Sequence, residues 1–157
     1  MSFRIHALPA ARFKPLFALS DRELVQSRAI RTVADSHPGY PCRVSLVDAE
    51  IGETVILLNF EHQSGDSPYR ASHAIFVREN AEQAFPRAGT VPESLETRLI
   101  SIRAFDQKHH MIGSDVVEGF RLSKSIPEML HDPGVAYLHL HNARPGCFAA
   151  RVTRMDD

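Results

Sequence analysis

No stretch of this sequence approaches the roughly eighteen apolar residues that a membrane-spanning helix needs. The uncharged run Val55 to Leu58 reads instead as part of a buried strand. Excess charge is lacking as well, since 18 Lys and Arg face 19 Asp and Glu for a formal net charge of −1. The arginines are dispersed along the chain and leave no basic stripe. Neither nucleic acid nor membrane is therefore expected as a partner. Cysteine is scarce, with Cys42 and Cys147 far apart in sequence. A chain of this size needs no covalent staple, and both are read as reduced thiols. Also missing are a Gly-rich phosphate loop, a Gly-x-Ser-x-Gly elbow, a His-Glu-x-x-His helix and a Cys-x-x-Cys knuckle. Their lack removes the common nucleotide-binding, hydrolase and zinc-finger readings at their sequence signatures. The opening Met-Ser-Phe-Arg-Ile-His has no apolar signal-peptide core, so a cytoplasmic location is expected. The Asp156-Asp157 tail is expected to fray.

What is present is ordinary globular composition: 157 residues, 43% hydrophobic and 24% charged. That is the usual size of one domain, residues 1–157, with one core. Strands are expected at Phe3 to Leu8, Ala29 to Ala34, Arg43 to Val47 and Thr54 to Phe60. The last is apolar on both alternating faces, as a doubly covered central strand is. Further strands are expected at Ala74 to Val77, Leu99 to Phe105, Met111 to Val117, Val135 to His141 and Cys147 to Thr153. Asp106 to His110 is the tip of a hairpin, with His109 and His110 in solvent. Phe13, Leu16 and Phe17 suggest a short helix with Pro15 in its first turn, and Ser20-Asp21-Arg22-Glu23 is a capping box for a second. Ser125-Ile126-Pro127-Glu128 suggests another capping box. Glu61 to Ala71 reads as a polar loop and Glu79 to Glu93 mostly as loop. Few connections are long enough for the crossover helix that parallel strands need. The expected class is α+β: a mainly antiparallel sheet of about six to eight strands with two or three short peripheral helices.

Chemistry concentrates in Tyr137-Leu138-His139-Leu140-His141-Asn142. Strand alternation puts Tyr137, His139 and His141 on one face and the leucines on the other. A His-x-His pair on a strand supplies two neutral imidazoles, the ligand type that zinc or iron accepts. His62 is the candidate third ligand, with His73 and Glu61 behind it. The alternative is a polar layer in which the histidines satisfy one another.

Cys42 follows a Pro/Gly-rich turn. Beside Arg43 it is a candidate catalytic thiol, with His62, His139 or His141 as base. Packing alone also accounts for a buried cysteine. Tyr69 and Arg70 in the polar loop are candidate anion-binding residues, with Arg43 beside Cys42 and Asn142 and Arg144 beside the histidine strand as further ligand-binding candidates.

The chain resembles an uncharacterised bacterial family catalogued as domain of unknown function 1203. The resemblance rests on Asp35 to Arg43, Asp48 to Glu53, Ser67 to Ser72 and, most distinctively, Tyr137 to Val152. The family pattern has Gly-Pro where this chain has His73-Ala74, which weighs against His73 as a ligand. The resemblance implies a bacterial cytoplasmic protein and brings no activity or cofactor with it.

Three readings follow. The first is a binding protein or enzyme for a small anionic molecule, with a pocket of His, Arg and Cys. The second is a metal centre on His62, His139 and His141. The third is a structural or interaction protein whose exposed sheet edge forms a homodimer.

Overall fold

A computed structural model describes residues 2–155, and the Asp156-Asp157 tail lies outside the described residues. The chain runs β1 (Ser2–His6), α1 (Ala10–Phe13), a 3-10 segment (Lys14–Ala18), α2 (Asp21–Gln26), β2 (Ala29–Val33), β3 (Thr54–Gln63) and β4 (Ala71–Arg78). It continues through α3 (Glu93–Glu96), β5 (Leu99–Phe105), β6 (Met111–Glu118), a 3-10 turn (Gly119–Arg121), α4 (Leu122–Leu130), β7 (Tyr137–Asn142) and β8 (Phe148–Met155). The strands form two antiparallel sheets, ordered β1-β8-β7-β5-β6 and β2-β3-β4. The α+β class expected from the sequence is therefore the observed one. No helix among the described residues is long and apolar enough to cross a membrane.

The contacts divide the chain into two compact units. One holds residues 2–6, 61–73 and 85–155, and the other Ala7–Phe60 and Ala74–Ala84. In the first, β7 lies at the centre of the five-stranded sheet and is buried along its whole length. Leu138 pairs with Val152, and Leu140 with Ile102 and Ala150, giving an apolar face on which these residues are fully buried. Helix α4 buries Leu122, Ile126 and Leu130, spaced four apart as one amphipathic stripe requires. Arg154, two residues beyond Val152, donates to the Leu130 carbonyl at 2.9 Å. That bond places the end of α4 over the apolar face. The opposite face of β7 carries Tyr137, His139 and His141.

In the second unit β3 is the middle strand, as its two apolar faces predicted. Ser20 caps α2, accepting from the Glu23 N–H while the Glu23 carboxylate takes the Ser20 N–H at 2.7 Å. The predicted capping box is thus real, and Arg31 ties β2 back to Asp21 at 2.5 Å.

Three local expectations fail. Arg43 to Val47 is a turn and not a strand, because Leu46 sits at φ +54° and its N–H bonds back to the Cys42 carbonyl. Ser125 is inside α4, which starts three residues earlier at Leu122, and Pro127 is tolerated within it because packing of the apolar stripe holds the helix. Strand β3 runs three residues past Phe60, so Glu61 and His62 belong to a strand instead of a loop.

Candidate functional site

The site grows out of strand register. His139 pairs with Arg103 of β5 on one side and Arg151 of β8 on the other. His141 pairs with Ser101 and with Phe148. Directly opposed residues share a face, so these side chains form one polar layer. A bulge at Leu140/His141 adds a residue to β8 and turns Phe148 onto the histidine face. The end of β3 supplies the lid of the layer. The His62 ring stacks on Phe148 with centroids 5.6 Å apart and planes 4° from parallel, and lies edge-on to His141 at 4.8 Å.

These contacts bring one ligand nitrogen from each of His62, His139 and His141 within 4.8 Å of one another. His141 directs Nδ1 to the Gly146 carbonyl at 3.0 Å. A carbonyl only accepts, so Nδ1 carries the proton and Nε2 the lone pair. That Nε2, with His62 Nδ1 and His139 Nδ1, is buried with no hydrogen-bond partner among the described residues. Unmet buried nitrogens cost roughly 1–3 kcal/mol each, which makes three in one place a demanding arrangement.

Burial also fixes the charge state. It pushes His139 down to about 3, with the charges of His141, His62, Arg151 and Arg103 adding to the effect. His141 falls to about 3, chiefly by burial and against the opposing Gly146 hydrogen bond. His62 falls to about 4 for the same main reason, helped by Arg103 and His73 and opposed by Glu61. All three imidazoles are neutral near pH 7, the state in which imidazole binds a metal.

Tyr137 extends the layer. Its hydroxyl accepts from Gln63 Nε2 at 2.9 Å and meets His109 Nδ1 at 2.7 Å. The expectation that His109 faces solvent is wrong. At φ +63° the hairpin tip turns its half-buried ring inward, against Gly65, where even a Cβ would clash. His110 alone points out. The hairpin was legible, but not the left-handed turn that separates the two rings.

The other predicted residues are dispersed. Cys42 and Arg43 belong to the second unit, whereas the histidine cluster lies wholly in the first. Cys42 is 2% exposed and its sulfur accepts from the Ser45 and Arg78 N–H groups. Arg43 is equally buried and donates to the Pro41 carbonyl. Arg70 is engaged by both carboxylate oxygens of Glu61, at 3.0 and 3.3 Å. Tyr69 is half-exposed, with its ring 6.3 Å from Phe105. Asn142 is buried and directs Nδ2 to Cys147 Sγ at 3.6 Å, and Arg144 is exposed in the turn between β7 and β8. A cleft of about 600 Å³ in the second unit, bounded by Phe13, Phe17 and Arg78, includes none of the predicted site residues. Its guanidinium is neutralised by Glu53 at 2.7 Å. Sequence reasoning passed over Arg103 and Arg151, although their positions on β5 and β8 follow once strand register is known.

The fold and this layer define an α+β protein in which one central strand presents paired histidines to a third at the end of β3. The chain belongs to the family described as "Protein of unknown function (DUF1203)", whose model matches residues 39–154, a span that includes all three histidines. No curated protein and no solved structure matches the chain.

Proposed function

We propose that His62, His139 and His141 are the protein ligands of a mononuclear metal centre, with zinc the best-suited ion. The observation that carries this reading is the convergence of three ligand nitrogens within 4.8 Å, with an unpartnered buried ring nitrogen on every histidine. A tetrahedral zinc with bonds of about 2.0–2.1 Å needs its nitrogens nearer to ~3.4 Å apart, so binding draws the rings in by about 1 Å. Iron in oxygenase sites usually takes two histidines and a carboxylate, and no carboxylate joins this cluster among the described residues, which favours zinc. The Gly146 carbonyl is the outer partner that such ligating histidines carry.

Three protein ligands leave one tetrahedral position for water or substrate, the arrangement of catalytic rather than structural zinc. A bound ion would supply Lewis-acid chemistry there and lower the pKa of its water. The chain's own residues contribute orientation through Gly146 and exclusion of solvent through Phe148 and the buried layer.

Elemental analysis of the purified, untagged chain tests this directly, beside a His139→Ala, His141→Ala variant and a His62→Gln variant. About one equivalent of metal in the wild type, and none in either variant, is the expected result. His62 is only half-buried, so its replacement keeps the fold and separates lost ligation from unfolding. A wild-type chain that holds no metal after incubation with zinc or ferrous iron and dialysis overturns the proposal.

A further inference from the structure

We infer that Arg103 is an anion-binding residue of this site, and that the molecule taken there is a small oxyanion, a carboxylate or a phosphate, held between its guanidinium and the three-histidine centre. The inference rests on the metal reading and adds the substrate class to it.

Arg103 is half-buried, yet its one acceptor among the described residues is Ser101 Oγ at 3.5 Å, the outer limit of a hydrogen bond. A guanidinium has five N–H donors in a planar fork. The other arginines of this unit near the layer are occupied. Arg70 grips Glu61, and Arg151 lies over the Tyr137 ring at 4.4 Å. Arg103 stands apart, with its charge partly withdrawn from water and no carboxylate paired with it among the described residues.

Position supplies the second argument. Arg103 is the cross-strand partner of His139, so its side chain leaves the same face of the sheet one strand away. Its charge is felt at all three histidines. Among the described residues no acidic group acts in the opposite sense on His139 or His141, and on His62 only Glu61 does, itself tied to Arg70. A divalent ion here would sit among neutral ligands beside two guanidinium groups in register with His139. Such a concentration of positive charge calls for a negative ligand. Two oxygens on one centre match the fork in bidentate fashion, which carboxylate and phosphate both offer.

The test uses the chain loaded with cobalt(II), whose visible spectrum reports a ligand entering the open position. Wild type, Arg103→Gln and Arg103→Lys are titrated with acetate and, separately, with inorganic phosphate. Each variant is checked for native folding by circular dichroism. One or both anions are expected to bind the wild type, at least ~10-fold more weakly to Arg103→Gln, and at an intermediate level to Arg103→Lys. Cobalt itself should bind Arg103→Gln as tightly as wild type or more so, because a like charge has been removed. The anion that binds more tightly identifies the source as a carboxylate or a phosphorylated compound. Equal binding by wild type and Arg103→Gln overturns the inference, as does binding of neither anion. Failure of cobalt to load sinks the metal reading instead. The metal-free chain then judges Arg103 through its Nε–H resonance: a shift with either anion supports an anion site, and an unmoved resonance overturns it.

Discussion

His141 gives its Nδ1 proton to the carbonyl of Gly146 across 3.0 Å, in the turn that joins β7 to β8. One backbone carbonyl thereby orients the ring and leaves Nε2 as the nitrogen with a lone pair. Gly146 adopts φ +81°, a conformation that costs other L-residues about 1–2 kcal/mol. Gly146→Ala is thus expected to lower the thermal midpoint and to weaken metal binding by about tenfold, since outer partners of ligating histidines carry that much affinity. Zinc affinity by competition with a chelating dye, read beside the melting curve, checks both. A variant that melts earlier but binds zinc as tightly as wild type would separate the turn from the site.

Acid should destabilise the metal-free chain in a defined window. The three imidazoles titrate near 6.5 when unfolded, but at about 4 for His62 and about 3 for His139 and His141 when folded. Between these values the unfolded chain binds more protons than the folded one, so stability rises with pH. Their contribution is complete above about pH 6.5 and declines as the pH drops through 6.5, toward 4 for His62 and toward 3 for His139 and His141. The slope is at most ~1.4 kcal/mol per pH unit for each of His139 and His141, and less for the half-buried His62. Urea unfolding across that range measures it. A wild-type profile no steeper than that of a His139→Gln, His141→Gln variant refutes the assignment.

Tyr137→Phe removes one oxygen and strands two groups. Gln63 Nε2 loses its acceptor at 2.9 Å in a site where Gln63 is buried, and His109 Nδ1 loses its 2.7 Å contact. The expected cost is about 1–3 kcal/mol by denaturant unfolding. Metal content should not change, because no ligand atom is touched. A stability change within ~0.5 kcal/mol would mean that water replaces the hydroxyl without loss.

Cys42 and Cys147 are 2% and 7% exposed, and neither is in a disulfide. Iodoacetamide should therefore label both far more slowly in the native chain than in urea. Cys42→Ala should keep full metal content at a modest loss of stability, since the histidine cluster is complete without it. Rapid native alkylation of Cys42 would revive the reading of this residue as a nucleophile.

Much of the architecture is legible from local rules. Alternation marked β7 as a strand with leucines to one side and imidazoles to the other, and the Ser20/Glu23 box marked the start of α2. Local rules failed where backbone handedness intervened. Leu46 and His109, both at positive φ, broke a predicted strand and turned a predicted surface ring inward.

The sequence by itself determined that His139 and His141 share a face, because strand geometry has a period of two. It could not determine what lies opposite them. Cross-strand register put Arg103 and Arg151 beside His139, and a one-residue bulge brought Phe148 to the histidine face. The end of β3 carried His62 onto Phe148. Those relationships join residues far apart in the chain, so only tertiary packing decided that three histidines separated by as many as 79 positions would converge. Their burial, and with it their neutral charge, follows from that convergence and from no property of the histidines alone.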